Sequence, residues 1–197
     1  MITETMTNLL AIMTLMFWPV IPLFWIPVHL VTDLFRKLGL FSYLMPFFTW
    51  VPLAYAVYYY RFFLLQLKIP LPVLLNMIGI PFLLFGTLLH IWTAVLLGGL
   101  GIIGVPEISS KANSRLITKG PFSIVRHPTY LAHTLMLIGA FLVTEKAAVG
   151  AVAIVDFIVV NSMIIPLEEK ELLDRFGNAY QTYMRQVPHR VFPQMNK

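Results

Sequence analysis

Residues 69–97, IPLPVLLNMIGIPFLLFGTLLHIWTAVLL, contain no Asp, Glu, Lys or Arg. A bilayer's hydrocarbon core is crossed by about 20 apolar residues in a helix. Backbone polar groups within lipid must be satisfied inside the segment, as a helix satisfies them. A run this long and this apolar therefore predicts a membrane span, and the pattern recurs. Residues 8–32 are apolar and interrupted by Pro19, Pro22 and Pro27, which predicts a kinked or broken first span. Residues 33–41 read as a charged turn and residues 43–63 as an aromatic-rich second span. Residues 98–127 form the longest polar connection. Residues 128–144 and 147–167 form two further apolar segments joined by a tight turn at Glu145 and Lys146. The first of these is short for a crossing, which suggests a tilted helix or a hairpin that enters without crossing fully.

The expected fold is an all-α integral membrane protein. It has about five transmembrane helices, a short helical hairpin at 128–167 and a C-terminal cytosolic amphipathic helix. In residues 168–186, Leu172, Leu173, Phe176, Tyr180, Tyr183 and Met184 recur at helical spacing, and Gly177 is expected to bend or split that helix. Only 12% of the chain is charged and 58% is hydrophobic, against about 25% and 45–50% in soluble domains. The absence of cysteine removes disulfides, thiolate metal sites and a cysteine nucleophile. The first residues, MITETMTNLL, lack a basic n-region and a small-residue cleavage site, so residues 8–32 read as a retained span.

The net charge of +5 is dispersed beside the spans, which points to membrane topology and away from nucleic acid. With five crossings, eleven Lys and Arg residues fall on one side, and Arg61, Lys68 and Lys146 fall on the other. The positive-inside rule then puts the N-terminus outside and the segment around Arg126, with the C-terminal helix, in the cytosol.

Several motifs are set aside. GLGIIG at 99–104 matches a dinucleotide-binding fingerprint by letter, but it follows a membrane helix and lacks the acidic residue about 20 positions on. Its glycines are expected to end the third helix. His127 and His133 lie on different faces of a helix, and no metal-ligand spacing is present. His133 reads as a hydrogen-bonded interior residue.

Two clusters carry chemistry. In GPFSIVRHPTYLAH (120–133), His127 precedes Pro128, which predicts an N-cap at His127 and a helix starting at Pro128. The N–H groups of Thr129 and Tyr130 then lack intrahelical partners, and Arg126 and His127 flank them: an anion site. The same features also suit a basic turn on lipid phosphate with Tyr130 in the aromatic belt. In PLEEKELLDRFGNAY (166–180), Glu168 and Glu169 stand at the end of a span. A helix start after a break at Pro166 accounts for one of them. The topology brings both to the face that holds Arg126 and His127, where paired anion and cation corners fit a zwitterionic ligand.

The motifs GPFSIVRHPTYL and LEEKELLDRFGNAYQTYMRQVPHRVFP resemble the isoprenylcysteine carboxyl methyltransferase family and its relatives, the phospholipid N-methyltransferases. The resemblance covers residues 115–193. It implies one membrane methyltransferase domain over 1–197, with 1–100 as spans on the lipid and substrate side and 101–197 as the catalytic half. It implies S-adenosylmethionine as cofactor, S-adenosylhomocysteine as product, and a prokaryotic plasma or endoplasmic-reticulum membrane. By matching position, Leu116 and Ile117 flank the adenosine, Gly120 and Phe122 form the turn, and Arg126, His127, Pro128, Tyr130, Leu131, Glu168 and Glu169 complete the cofactor site. Some members carry Arg one turn before the glutamates. Here Ile164 stands there, with Asn161 nearby, and these two are the candidate substrate-binding positions.

The resemblance implies methylation of the carboxylate of a prenylated cysteine-type substrate entering from membrane lipid, with phospholipid or other lipid amine N-methylation as the alternative. A carboxylate acceptor needs no base, so no dedicated catalytic group is expected beyond positioning by Glu168 and Arg126. A membrane reductase using NADPH and a lipid-binding scaffold are the rivals from other classes; the first lacks a second basic cluster for the 2′-phosphate.

Overall fold

The computed structural model describes residues 3–102, 104–105 and 115–193. Much of the polar connection, with Lys111, and the terminal Lys197 lie outside the described residues. The described residues are mostly helical, and the one β-bridge among them, between Lys68 and Lys146, is isolated.

Helix α1 (Glu4–Phe17) starts at Thr3, whose hydroxyl accepts the Met6 N–H. It continues into α2 (Val20–Leu30) past a break at Trp18 and Pro19, where proline geometry interrupts the helix as expected. The charged stretch at 33–41 is not a simple turn. It forms α3 (Thr32–Leu38) and a 3-10 turn at Gly39–Tyr43, because Asp33 at its start and Arg36 and Lys37 at its end suit the helix dipole. Helix α4 (Leu44–Tyr59) follows, and the expected span to residue 63 ends earlier, with α5 (Arg61–Gln66) starting separately. Helix α6 (Val73–Ile102) runs past 97, with a kink at Gly98, so the connection is shorter than the sequence suggests. Helices α7 (Pro128–Thr144) and α8 (Ala147–Val159) form the hairpin, and a π-helical turn at Val160–Ile164 leads into α9 (Ile165–Phe176). Helix α10 (Asn178–Gln186) is separated from α9 by Gly177 at φ 52°, a left-handed turn that glycine adopts without a Cβ clash.

Four stretches, Glu4–Leu30, Thr32–Tyr59, Val73–Gly99 and Ala147–Phe176, are long and apolar enough to cross a bilayer, and Pro128–Thr144 is a shorter apolar helix. Phe62, Leu84, Leu88, Trp92 and Val95 are among many large apolar side chains left exposed, the reverse of a soluble surface and what lipid solvates.

Helix α7 is the centre. It packs along α6 with backbone against backbone: a Cβ on Gly139 would lie 2.8 Å from the Gly79 carbonyl oxygen and the Leu83 nitrogen. A Cβ on Gly86 would lie 2.8 Å from the Ala132 carbonyl oxygen. Small residues at such a seam allow the close approach that drives helix association in lipid. The helix is about 25 Å long at 1.5 Å per residue and joins the two ends of the bundle. At its C-terminal end Glu145 accepts the Leu71 N–H and the Asn76 amide, both at 3.0 Å, and Lys68 pairs with Glu4. The Leu71 and Asn76 hydrogen bonds hold the Glu145 carboxyl below its ordinary range. At its N-terminal end stands the candidate site.

Candidate functional site

Pro128 opens α7 with His127 at the N-cap, and no side chain caps that start. The chain just before it is held by the C-terminal tail: the Arg126 N–H donates to the His189 carbonyl (2.9 Å) and the His127 N–H to the Arg190 carbonyl (2.8 Å). The Arg126 guanidinium donates to the Val187 carbonyl (2.8 Å) and to Glu169 (2.9 and 2.7 Å). Arg190 meets the other Glu169 oxygen at 2.7 Å, and His127 Nε2 lies 3.3 Å from Glu169. The tail thus closes on the helix start through one buried carboxylate. From α10 the Tyr183 hydroxyl donates to the Phe122 carbonyl (2.7 Å), which fixes the 3-10 turn Gly120–Ser123.

Glu168 and Glu169 are adjacent on α9 but about 100° apart, and they face different partners. Glu169 is spent on Arg126 and Arg190. The Glu168 side chain is 25% exposed and lies 3.7 Å from His127 Nδ1, and its Oε2 accepts no hydrogen bond among the described residues. It stands in a wall shared by two cavities, together with Leu97, Gly101, Phe122 and Arg126.

The larger cavity, about 400 Å³, is bounded by Val20, Ile21, Phe24 and Trp25 of α2, by Tyr43 and Pro46, and by His90 of α6. His127, Thr129, Tyr130 and His133 of the α7 start complete it. The smaller cavity, about 230 Å³, is bounded by Arg115, Leu116 and Ile117, by Leu172, Arg175 and Phe176 of α9, and by Tyr180 and Tyr183 of α10. Burial pushes the Tyr183 phenol up to about 12 and raises Tyr180 further, so both remain neutral hydrogen-bonding groups. The Tyr180 hydroxyl is buried without a hydrogen-bond partner among the described residues.

Of the residues the sequence marks out, Leu116, Ile117, Phe122, Arg126 and Glu168 line the smaller cavity, and Phe122, Arg126, His127, Tyr130 and Glu168 line the larger. A Cβ on Gly120 would lie 3.0 Å from Leu96 and 3.3 Å from Trp92, and Gly120 opens the 3-10 turn that carries Phe122. Pro128 is buried as the first helical residue, and Leu131 packs on the cluster of Tyr130, Val160, Ile164, Ile165 and Val191. Ile164 is wholly buried in that cluster, and Asn161 turns its amide back to the Phe157 carbonyl (2.8 Å); neither lines either of these two cavities. The helix start after Pro166 is not free either: α8, the π-turn and α9 are continuous, and the Ile165 N–H bonds back to the Val160 carbonyl.

Trp25, His90, His133, Arg175 and Tyr180 line the cavities without having been marked out as site residues. His133, expected to be a hydrogen-bonded interior residue, lines the larger cavity, and its Nε2, 3.3 Å from Asp156, makes no hydrogen bond among the described residues. Asp156 itself was legible: a lone carboxylate in the apolar stretch 147–167 is a functional signal by its cost. Among the described residues no group of His, Cys, Asp or Glu is arranged to hold a metal ion.

The family model described as phospholipid methyltransferase matches residues 74–179. Over 116 residues the chain is 32% identical to the cobalt-zinc-cadmium resistance protein CzcN of Cupriavidus metallidurans, covering 53% of each chain. It is 27% identical over 117 residues to protein-S-isoprenylcysteine O-methyltransferase B of Arabidopsis thaliana, covering 57% of each. The chain thus spans a little over half the length of the curated relatives it matches. No solved structure matches it.

Proposed function

Because the chain belongs to the phospholipid methyltransferase family, we propose that it is a membrane methyltransferase that takes S-adenosylmethionine in the smaller cavity and a lipid-borne acceptor in the larger. The observation that carries this reading is the Glu168 carboxylate, whose Oε2 accepts no hydrogen bond among the described residues, in the wall common to both cavities. The cofactor supplies a methyl group on a sulfonium, a permanent cation beside an ammonium and a carboxylate. Glu168 suits the cationic centre, and His127 with the uncapped start of α7 suits the carboxylate. Leu116, Ile117 and Phe122 offer apolar and aromatic walls for a nucleobase, and the unpartnered Tyr180 hydroxyl offers it a hydrogen bond.

The residues that line the site would act by position. Glu168 holds the charge at the junction, and Phe122 and Leu97 stand in the wall common to both cavities. The apolar walls of α2 keep water from the reacting centre, where positioning and exclusion of water carry the rate. The apolar lining of the larger cavity suits a lipid chain, since each buried CH₂ contributes about 0.8 kcal/mol.

A prenylated cysteine-type carboxylate as acceptor is supported by the tail motif and by the activity in the name of the Arabidopsis relative. A lipid amine is supported by the chemistry of the larger cavity. Its one Arg or Lys, Arg126, is already paired with Glu169, while His90 and His133 offer basic nitrogens. The charge pattern supports a cytosolic site and an external N-terminus in a prokaryotic plasma or endoplasmic-reticulum membrane.

Calorimetric titration of the protein in detergent or nanodiscs with S-adenosylhomocysteine tests the cofactor, and the expected result is saturable one-site binding. Labelled methyl transfer to a panel of a farnesylcysteine analogue, phosphatidylethanolamine and other lipid amines tests the acceptor. Absence of cofactor binding would overturn the reading.

A further inference from the structure

Away from Glu168, the larger cavity carries polar groups that the methyl-donor reading leaves idle. His133 reaches it from α7, with Nε2 3.3 Å from Asp156 Oδ1 on α8. Trp18, in the break between α1 and α2, donates its indole N–H to the same oxygen at 2.8 Å. Asp156 is 2% exposed, and its Oδ2 has no hydrogen-bond partner among the described residues. His90 of α6 lines the same cavity, and its Nδ1 is buried without a hydrogen-bond partner among the described residues.

An ionisable carboxylate between apolar helices is expensive and calls for a role. Three elements converge on this one, and it faces an imidazole that opens into the acceptor cavity. His133 Nε2 makes no hydrogen bond among the described residues; a proton placed on it, 3.3 Å from Asp156, would leave Nδ1 with its lone pair, the form in which histidine accepts a proton. A carboxylate behind the ring stabilises the imidazolium that results.

We infer that His133 is the proton acceptor for a lipid amine bound in the larger cavity, with Asp156 and Trp18 as its positioning residues. The inference rests on the methyltransferase reading and deepens it. A lipid ammonium passes one N–H proton to His133 Nδ1. The freed nitrogen lone pair forms the N–C bond to the methyl carbon as the donor's S–C bond breaks, with that electron pair remaining on sulfur as a neutral thioether. A carboxylate acceptor has no such proton at pH 7 and leaves the pair idle.

The test compares the full-length protein in nanodiscs with His133→Gln, Asp156→Asn and Trp18→Phe. It reads S-adenosylhomocysteine binding, methyl transfer to phosphatidylethanolamine and to a farnesylcysteine analogue, and the His133 tautomer by NMR of histidine-labelled, cofactor-free protein. Cofactor binding should stay within about two-fold, while kcat for the amine falls about 100-fold or more in His133→Gln. Any transfer to the farnesylcysteine analogue should be unchanged. The wild-type ring should carry its proton on Nε2 and lose that preference in Asp156→Asn. Near-normal amine methylation by His133→Gln, equal loss on both acceptors, wild-type transfer to the carboxylate alone, or a wild-type ring protonated on Nδ1 only would each overturn the inference. Wild-type protein that binds no S-adenosylhomocysteine would overturn the methyltransferase reading itself.

Discussion

Two neighbouring carboxylates show how finely the candidate site is divided. Glu168 has an oxygen in the cavity wall that accepts no hydrogen bond among the described residues, and Glu169 holds Arg126 and Arg190 and so ties the tail to the start of α7. Glu168→Gln should weaken S-adenosylmethionine binding at least about ten-fold, since it removes the charge that meets a cation, and should leave thermal stability nearly unchanged. Glu169→Gln should lower the melting temperature in detergent, because unpairing a buried ion pair costs about 3–5 kcal/mol. The Tyr183 phenol, which donates to Phe122, is raised by burial from 10 to about 12. Its stabilising effect is full below pH 10, where folded and unfolded phenols are both protonated, and is lost as pH rises from 10 toward 12. Tyr183→Phe should flatten the fall in stability over that window, measured by thermal melts at several pH values. At this scale the sequence marks the acid pair, but helix phase alone cannot say which of two adjacent glutamates turns to the tail. That depends on Arg190, 21 residues on, folding back against them. The His133–Asp156 contact is also hidden, because it joins two apolar helices whose rotation is set by packing.

At the scale of elements, local chemistry was legible wherever proline or glycine fixes the backbone. His127-Pro128 starts α7, Gly177 separates α9 from α10, and Pro19 breaks the first span. Pro166 was misleading. A proline near the end of an apolar run suggests a new helix, but the π-turn at Val160–Ile164 absorbs the mismatch and the helix continues. The result is that Glu168 and Glu169 project from a rigid rod. The α6–α7 seam was not legible either, since Gly79, Gly86 and Gly139 declare a close approach only once the two helices are in register. Gly139→Val should destabilise the protein by about 1–3 kcal/mol through overpacking against the Gly79 carbonyl and the Leu83 nitrogen. It should be read as a lower melting temperature with weakened cofactor binding, because α7 carries His127 and Tyr130 at its start.

For the whole molecule, the charged residues that pair with one another sort to the two ends of the bundle, and Asp156 lies between them. Glu4, Arg61, Lys68 and Lys146 gather around one surface pocket at one end. Arg36, Arg126, Arg175 and Arg190 stand with Glu169 and Glu171 at the other, held by pairs such as Arg36–Glu171 at 3.2 Å. This division was foreseeable from the order of apolar runs and charges, because an even or odd number of crossings decides which loops share a face. The positive-inside rule, which counts Lys and Arg near the spans, predicts that the second end meets the cytosol. The chain has no cysteine, so single introduced thiols report their side of the membrane without background. Asn178→Cys, exposed at the start of α10, should resist a membrane-impermeant maleimide in intact spheroplasts and react after permeabilisation. Gln66→Cys, exposed at the end of α5, should react in intact spheroplasts. The opposite pattern would place Glu168 and both cavities on the outer face, where cytosolic S-adenosylmethionine does not reach them, and would remove the cofactor supply on which the proposed reaction depends.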